Sequence, residues 1–182
     1  SNWLHGSFFI IVFIMSLGKE ILDVVDANDI ISCAEPRSVV HRDGLLHRAV
    51  HIFVFNAEGQ LFLQRRSMLK DSAPGKWVSS CSGHVDSGET YIRAAMRELH
   101  EEIGLVPSKS LMEVFRVKAC EQTDQEFVTV YRCIAEGPFT LDSDEISEGC
   151  WIDQDKLNEW ISSTPEDFSI SFIYLWNHYR AL

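Results

Sequence analysis

The run His47 to Phe55, HRAVHIFVF, is β-branched and aromatic, breaks at Asn56-Ala57-Glu58-Gly59 and resumes at Gln60 to Gln64, which predicts a β-hairpin. An earlier hairpin is predicted where Glu20 to Val25 and Ile30 to Cys33 flank the turn-forming Asp26-Ala27-Asn28-Asp29, with Pro36 opening a short helical turn. A short strand around Trp77 to Ser80 follows the Pro74-Gly75 turn, and a Gly/Ser loop leads on from it. From Thr90 to Ile103 the period changes: Ile92, Ala95, Met96, Leu99 and Ile103 recur on one face at 100° per residue, so this is a helix whose apolar side is expected to meet the core. Gly88-Glu89-Thr90 supplies its turn and N-cap, and Gly104 ends it. Strands at Leu111 to Cys120 and Phe127 to Glu136 lead through Gly137-Pro138 to an acidic loop, a short strand at Trp151-Ile152, and helices at Asp155 to Ile161 and Ile170 to Arg180. Strands mixed with a few helices predict an α+β domain, layered as an α/β/α sandwich around a mixed β-sheet.

Glu98, Glu101 and Glu102 stand at i, i+3 and i+4 of that helix, on a different face from the apolar stripe. Their carboxylates converge on a patch about one turn long, where like charges repel. Three glutamates in isolation would be an ordinary solvated face.

With 182 residues and 46% hydrophobic content, the chain fits one domain with a single sizeable core. Its formal charge of -11 speaks against a nucleic-acid polymer as partner, because phosphate-backbone binding rests on a broad basic surface. Small phosphates remain accessible to an acidic protein if a divalent cation lies between. Cys33, Cys81, Cys120, Cys133 and Cys150 are scattered, odd in number and form no CxxC pair, which fits free thiols in a reducing, cytoplasmic compartment. Phe8 to Met15, FFIIVFIM, is too short for a membrane helix, which needs roughly 20 apolar residues, and lacks the flanks of a signal peptide. Residues 1–19 are therefore read as an N-terminal extension. Either its apolar run packs on the core or a neighbouring chain, or Met15 is the natural start; 20–182 form the domain.

The stretch GHVDSGETYIRAAMRELHEEIGL fits a fixed pattern: Gly83, five spacers, Glu89, seven spacers, Arg97-Glu98, an aliphatic, a spacer, Glu101-Glu102, a spacer, Gly104 and an aliphatic. Average residue usage gives a chance match on the order of one in ten million. The pattern is similar to that of the Nudix family, which implies a Nudix-type sandwich and hydrolysis of a diphosphate linkage in a nucleoside-diphosphate-linked or related small molecule. The resemblance implies Mg²⁺ or Mn²⁺ held by Glu98, Glu101 and Glu102 with the backbone of Gly83 nearby. Arg97 resembles the residue that pairs with Glu89 to fix the loop before the helix. Glu101 is the favoured general base, with Glu145 and Glu148 as rivals. Magnesium suits such a patch because it prefers oxygen ligands and is commonly shared between carboxylates and substrate phosphates. No membrane partner is expected, and a homodimer is compatible with the sequence.

Outside that stretch the chain resembles isopentenyl-diphosphate isomerases, which share the Nudix fold. LLHRAVHIFVFN, GQLFLQRRS, Lys70, Pro74-Gly75-Lys76-Trp77 and Gly83-His84 occur in the same order and nearly the same spacing. By that resemblance His41, His47, His84, Asp124 and Glu126 fall near metal-binding positions, and Arg65, Arg66 and Lys70 near diphosphate-binding ones. The departure is at Ser82, where the isomerases carry their catalytic cysteine. A hydroxyl is a far weaker acid than a thiol of pKa about 8.5, and Cys81, one residue away on an extended segment, is expected to face the other side. A hydrolase of the isomerase-like subgroup is therefore the expected function, with an isomerase or a non-catalytic Nudix ligand-binding module as the alternatives.

Every recognisable element begins at about Glu20, so a chain starting at Met15 is expected to fold and keep its activity. Aggregation or loss of activity on that truncation would make Phe8 to Met15 part of the core or of an interface.

Overall fold

A computed structural model describes residues 20–182. The extension 1–19 and its apolar run lie outside the described residues. Strands β1 (Ile21–Val25) and β2 (Ile31–Pro36) form an antiparallel ribbon, followed by helix α1 (Arg37–Asp43). The main sheet is built from β3 (His47–Phe55), β4 (Leu61–Arg66), β5 (Trp77–Val78), β6 (Cys81–His84), β7 (Met112–Val117), β8 (Glu126–Ile134) and β9 (Ile146–Ile152). Helix α2 (Tyr91–Ile103) follows β6, and α3 (Gln154–Ser163) and α4 (Ile170–Arg180) close the chain.

The predicted hairpin of β3 and β4 forms at its turn and then splays. The two strands pair only at Phe55 and Leu61, and the segment carrying β5 and β6 enters the gap, β5 pairing with β4 and β6 with β3. Ser80 sits where the strands part. Its hydroxyl accepts from the Val54 N–H at 2.9 Å and donates to the Phe62 carbonyl, satisfying backbone groups that the hairpin ladder no longer reaches. On its other side β3 runs parallel to β8, from His47 opposite Glu126 to Phe55 opposite Ile134, and β8 pairs antiparallel with β7.

Both faces of β3 are covered, which accounts for its almost uninterrupted apolar sequence. Ala49, Phe53 and Phe55 meet Leu157, Phe172, Leu175 and Trp176 of α3 and α4. Val50, Ile52 and Val54 meet Ala94, Ala95, Leu99 and Ile103 of α2. The layers are thus α/β/α, as predicted. No helix among the described residues is long and apolar enough to cross a membrane.

Three local expectations are corrected. The Gly/Ser loop after Ser80 is strand β6, because its backbone pairs with β3 from Ile52 opposite Cys81 to Ala49 opposite His84. The last strand begins at Ile146, within the expected acidic loop, because β4, freed from β3, pairs with β9 along its length. On α2 the buried side is turned toward the glutamates: Ala94, Ala95, Glu98, Leu99, Glu102 and Ile103 are buried. Ile92 and Met96, expected inside, are 40% and 36% exposed.

The ribbon is fastened over the start of α2. Asp23, 6% exposed, accepts from the Ser87 hydroxyl at 2.8 Å and the Gly88 N–H at 3.1 Å. Asp29 accepts from Arg48 at 2.6 Å and from the Tyr91 hydroxyl at 2.8 Å. Replacing Asp23 with alanine leaves the Gly88 N–H without its partner, so Asp23→Ala is expected to cost about 1–3 kcal/mol in denaturant unfolding. Unchanged stability would mean that the ribbon contributes nothing to holding the loop before α2.

Candidate active site

Helix α2 begins at Thr90, whose hydroxyl accepts from the Arg93 N–H at 3.3 Å, and ends at Gly104 in the left-handed conformation at φ 68°. These caps fix the register that turns Glu98 and Glu102 toward β6. Glu98 lies directly on the β6 backbone: a Cβ at Gly83 would stand 2.2 Å from the Glu98 carboxyl carbon, so a side chain there would displace the carboxylate. Glu102 Oε2 accepts from Gln64 Nε2 at 2.7 Å, the Cys81 thiol at 3.1 Å and the Ser82 N–H at 3.4 Å. Its Oε1 and the Oε2 of Glu98 accept no hydrogen bond among the described residues. Glu101 is the solvent-facing member, with its side chain 57% exposed.

Burial pushes the Glu98 carboxyl up to about 9; the Glu102 and Glu101 charges add to the rise, while Arg97 opposes it. Burial also raises Glu102, against the lowering effect of its three donors. Two buried carboxylates kept from ionising by each other and by desolvation, each with one oxygen unclaimed, fit a hard divalent cation well.

Arg97 is the hub of the loop before the helix. It donates to both oxygens of Glu89 at 2.9 Å, to the His84 carbonyl at 3.0 Å, to Glu98 at 2.7 Å and to Glu101 at 3.3 Å. Glu89 in turn accepts from the Asp86 N–H at 2.9 Å. Arg97 therefore joins the loop from His84 to Glu89 to the carboxylate face of α2.

A second group of ligands stands beside the first. His41 from α1, His47 from β3 and His84 from β6 each bring a ring nitrogen to within 4.8 Å of the others. His47 Nδ1 donates to the Leu45 carbonyl at 2.8 Å, which leaves Nε2 as a bare lone pair, buried and without a partner. His41 and His84 approach each other through Nε2 at 3.3 Å, while their Nδ1 atoms turn to Asp124 at 3.9 Å and Glu20 at 3.5 Å. Converging Nε2 atoms with each Nδ1 turned toward an oxygen form the pattern of metal-binding imidazoles. Burial depresses His47 to about 4. Burial also works against charge on His84, but Glu20 and Glu126 outweigh it and the net shift is upward. Glu126, opposite His47 across the β3–β8 pairing, is pushed up to about 7 by burial, with His84 opposing.

Glu98, Glu101 and Glu102, with His41 and His84 of the second group, line one cavity of about 600 Å³. Of the expected anion-binding residues, Arg66 and Lys70 line it and Arg65 does not. Strand alternation turns Arg65 away from Gln64 and Arg66, toward a separate small cleft, where it approaches Glu148 at 3.8 Å. Glu148 is therefore also off the cavity, whereas Glu145 lines it and pairs with Lys70 at 2.6 Å. Sequence reasoning missed Arg37 and Gln64. Arg37 lines the cavity and forms a two-pronged pair with Asp71 at 2.8 and 3.0 Å. The spacing of Gln64 two residues before Arg66, on the same side of β4, was the available signal for it.

Known proteins share this fold and much of this sequence. The NUDIX domain family matches residues 45–170. The chain is similar to an isopentenyl-diphosphate Delta-isomerase of Serratia proteamaculans, 34% identical over 157 residues, which cover 85% of this chain and 88% of that protein. It is also similar to an uncharacterized Nudix hydrolase of Yersinia pestis, 31% identical over 86% of this chain and 85% of the other. A crystal structure of a Deinococcus radiodurans protein superimposes with a TM-score of 0.70 at 29% identity, covering 79% of this chain and 90% of that one.

These shifts imply a pH dependence with a definite sign. Glu98 and Glu126 hold protons in the folded state that the unfolded chain has already released near 4.5, so their contribution to stability is lost as pH rises toward about 9 and about 7. His84, raised as a base, acts in the same direction. The depressed His47 and His51 cost stability only as pH falls below 6.5. The metal-free protein is thus expected to melt at progressively lower temperature from about pH 6.5 to about pH 9, and millimolar Mg²⁺ or Mn²⁺, binding the ionised carboxylates, to flatten that decline. Melting curves in chelator and in metal across that range check it; two flat, coincident profiles would count against a preformed cation site.

Proposed function

This chain belongs to the Nudix family, and from that premise we propose that it is a divalent-metal-dependent hydrolase of a diphosphate linkage. The observation that carries the reading is the buried pair Glu98 and Glu102, the first packed on Gly83 and the second held by Gln64, with one oxygen of each unclaimed. Glu98, Glu101 and Glu102 would hold Mg²⁺ or Mn²⁺. A bound cation of this kind supplies Lewis-acid polarisation of a phosphoryl oxygen and lowers the pKa of a bound water.

The chain's own residues do the rest. Arg97 keeps Glu98 and Glu101 in place and neutralises part of their charge, while its two-pronged bond to Glu89 holds the loop that carries Gly83 and His84. Arg66, Lys70 and Arg37 line the same cavity and offer cations to the diphosphate oxygens. Glu101 is exposed enough to exchange a proton with water and sits one turn from Glu98, which suits a general base. Glu145, the remaining rival on the cavity wall, is engaged by Lys70.

A second reading, isopentenyl-diphosphate isomerase, is favoured by the three converging histidines, by Glu126 with a pKa near 7, and by the name of the Serratia relative. Moving a carbon–carbon double bond needs two acid–base groups on opposite sides of the substrate. Glu126 offers one. At the other position the cavity presents Ser82, while the Cys81 thiol is buried against α2, bonded to the Glu98 carbonyl at 3.2 Å and to Glu102, and raised well above its ordinary pKa by burial.

With Mg²⁺, a panel of diphosphate compounds is expected to yield hydrolysis of at least one member, and Glu101→Gln or Glu102→Gln to lower its turnover roughly 10²–10⁴-fold while the fold survives. Full activity in excess chelator or in both variants would overturn the assignment. Formation of dimethylallyl diphosphate from isopentenyl diphosphate at an enzymatic rate, abolished by Cys81→Ala, would replace it with the isomerase.

A further inference from the structure

The cavity wall also includes His51 on β3, opposite Ser82 of β6, and the start of α4. His51 is 7% exposed yet lines the cavity. Its Nδ1 lies 2.7 Å from the Ser79 hydroxyl, and its Nε2 has no partner among the described residues. Two residues before Ser79, the Trp77 carbonyl accepts from the Ser169 N–H at 3.1 Å, which fixes the first turn of α4 beside the same segment. The Ser169 hydroxyl accepts from the Phe172 N–H at 3.1 Å and lies 3.3 Å from that of Ser171; both serines line the cavity. The N–H groups of Ile170 and Ser171, in the first turn, have no intrahelical acceptor.

What the walls lack is equally specific. Among the described residues that line the cavity there is no Phe, Tyr, Trp, Leu, Ile or Met; the apolar contribution comes from Ala49, Ala73 and Val78. A nucleobase is ordinarily gripped by stacking on aromatic faces, and a prenyl chain by apolar walls. Either group here would leave the His51 Nε2 unpaired and offer nothing to the Ser169 and Ser171 hydroxyls, which is unfavourable. A hydroxylated group meets a donor or acceptor at each of them.

We propose that His51, Ser169 and Ser171 form a hydroxyl-binding subsite, and that the diphosphate this protein cleaves is that of a sugar, whose hydroxyls meet these three residues while the diphosphate lies against Glu98, Glu101 and Glu102. The inference rests on the hydrolase reading above and deepens it by naming the substrate class. His51 and the two serines act on the part of the substrate that does not react, so they set specificity and take no part in the chemical step.

Binding and turnover test it separately. Calorimetry with Mg²⁺ present compares glucose 1-phosphate, phenyl phosphate, isopentenyl phosphate and inorganic phosphate, which share the phosphate and differ in what it carries. Glucose 1-phosphate is expected to bind about tenfold or more tightly than the other three. His51→Ala and, independently, the more conservative Ser171→Ala at the edge of the cavity are each expected to weaken it about fivefold or more, with a much smaller effect on inorganic phosphate. In turnover of a sugar diphosphate both variants should raise KM at nearly constant kcat. Equal or tighter binding of phenyl or isopentenyl phosphate, equal loss for every ligand in the folded Ser171→Ala protein, or no binding of glucose 1-phosphate would overturn the subsite. A preference for the sugar phosphate without hydrolysis of any diphosphate would leave the subsite standing and sink the hydrolase reading.

Discussion

Two glutamates one helical turn apart, Glu98 and Glu102, are buried side by side, and much of the surrounding structure serves to hold them there. Desolvation and mutual repulsion oppose their ionisation, so each requires partners that the fold must bring from elsewhere. Gly83 leaves the space that the Glu98 carboxylate fills. Gln64, Cys81 and the Ser82 N–H satisfy one oxygen of Glu102. These donors can reach it only because the β3–β4 hairpin splays and admits β6, and Ser80 makes that splay tolerable for the backbone. Arg97 completes the set by sharing its guanidinium among Glu89, Glu98 and Glu101.

The chain carries a formal charge of -11, yet cations line this cavity, each already engaged by an oxygen. Arg37 is held by Asp71, Lys70 by Glu145, and Arg66 donates to the Ser72 carbonyl at 2.8 Å. An anionic ligand arriving alone would face acidic walls and cations already in use. A divalent ion on the carboxylate face would change that balance locally, and would link recognition of a diphosphate to the same residues that hold the metal.

Hard and borderline ligands share the cavity. The carboxylates of α2 suit magnesium, whereas imidazoles such as His41, His47 and His84 suit transition ions. The relatives include one named as an isomerase and one named as a hydrolase. In this chain the alternation of β6 separates the two chemistries: Ser82 faces the cavity, and Cys81 lies under the helix as a donor to Glu102.

The sequence alone determined that Thr90 to Ile103 is a capped helix carrying three glutamates at i, i+3 and i+4, because helical period and cap chemistry are local properties. The same holds for β3, whose β-branched and aromatic run matches the observed strand from end to end. The family pattern likewise lies within 23 consecutive residues. Only the tertiary structure decided which side of α2 is buried, since the hydrophobic stripe pointed to Ile92 and Met96 while packing against Gly83 and Gln64 turned Glu98 and Glu102 inward. It also decided that Arg66 reaches the cavity and Arg65 does not, that Arg37 and His51 belong to its walls, and that His84 meets His41 and His47 from far along the chain. Those outcomes depend on strand register and on the splaying of one hairpin, and both follow from pairing between segments distant in the chain, which no local pattern encodes.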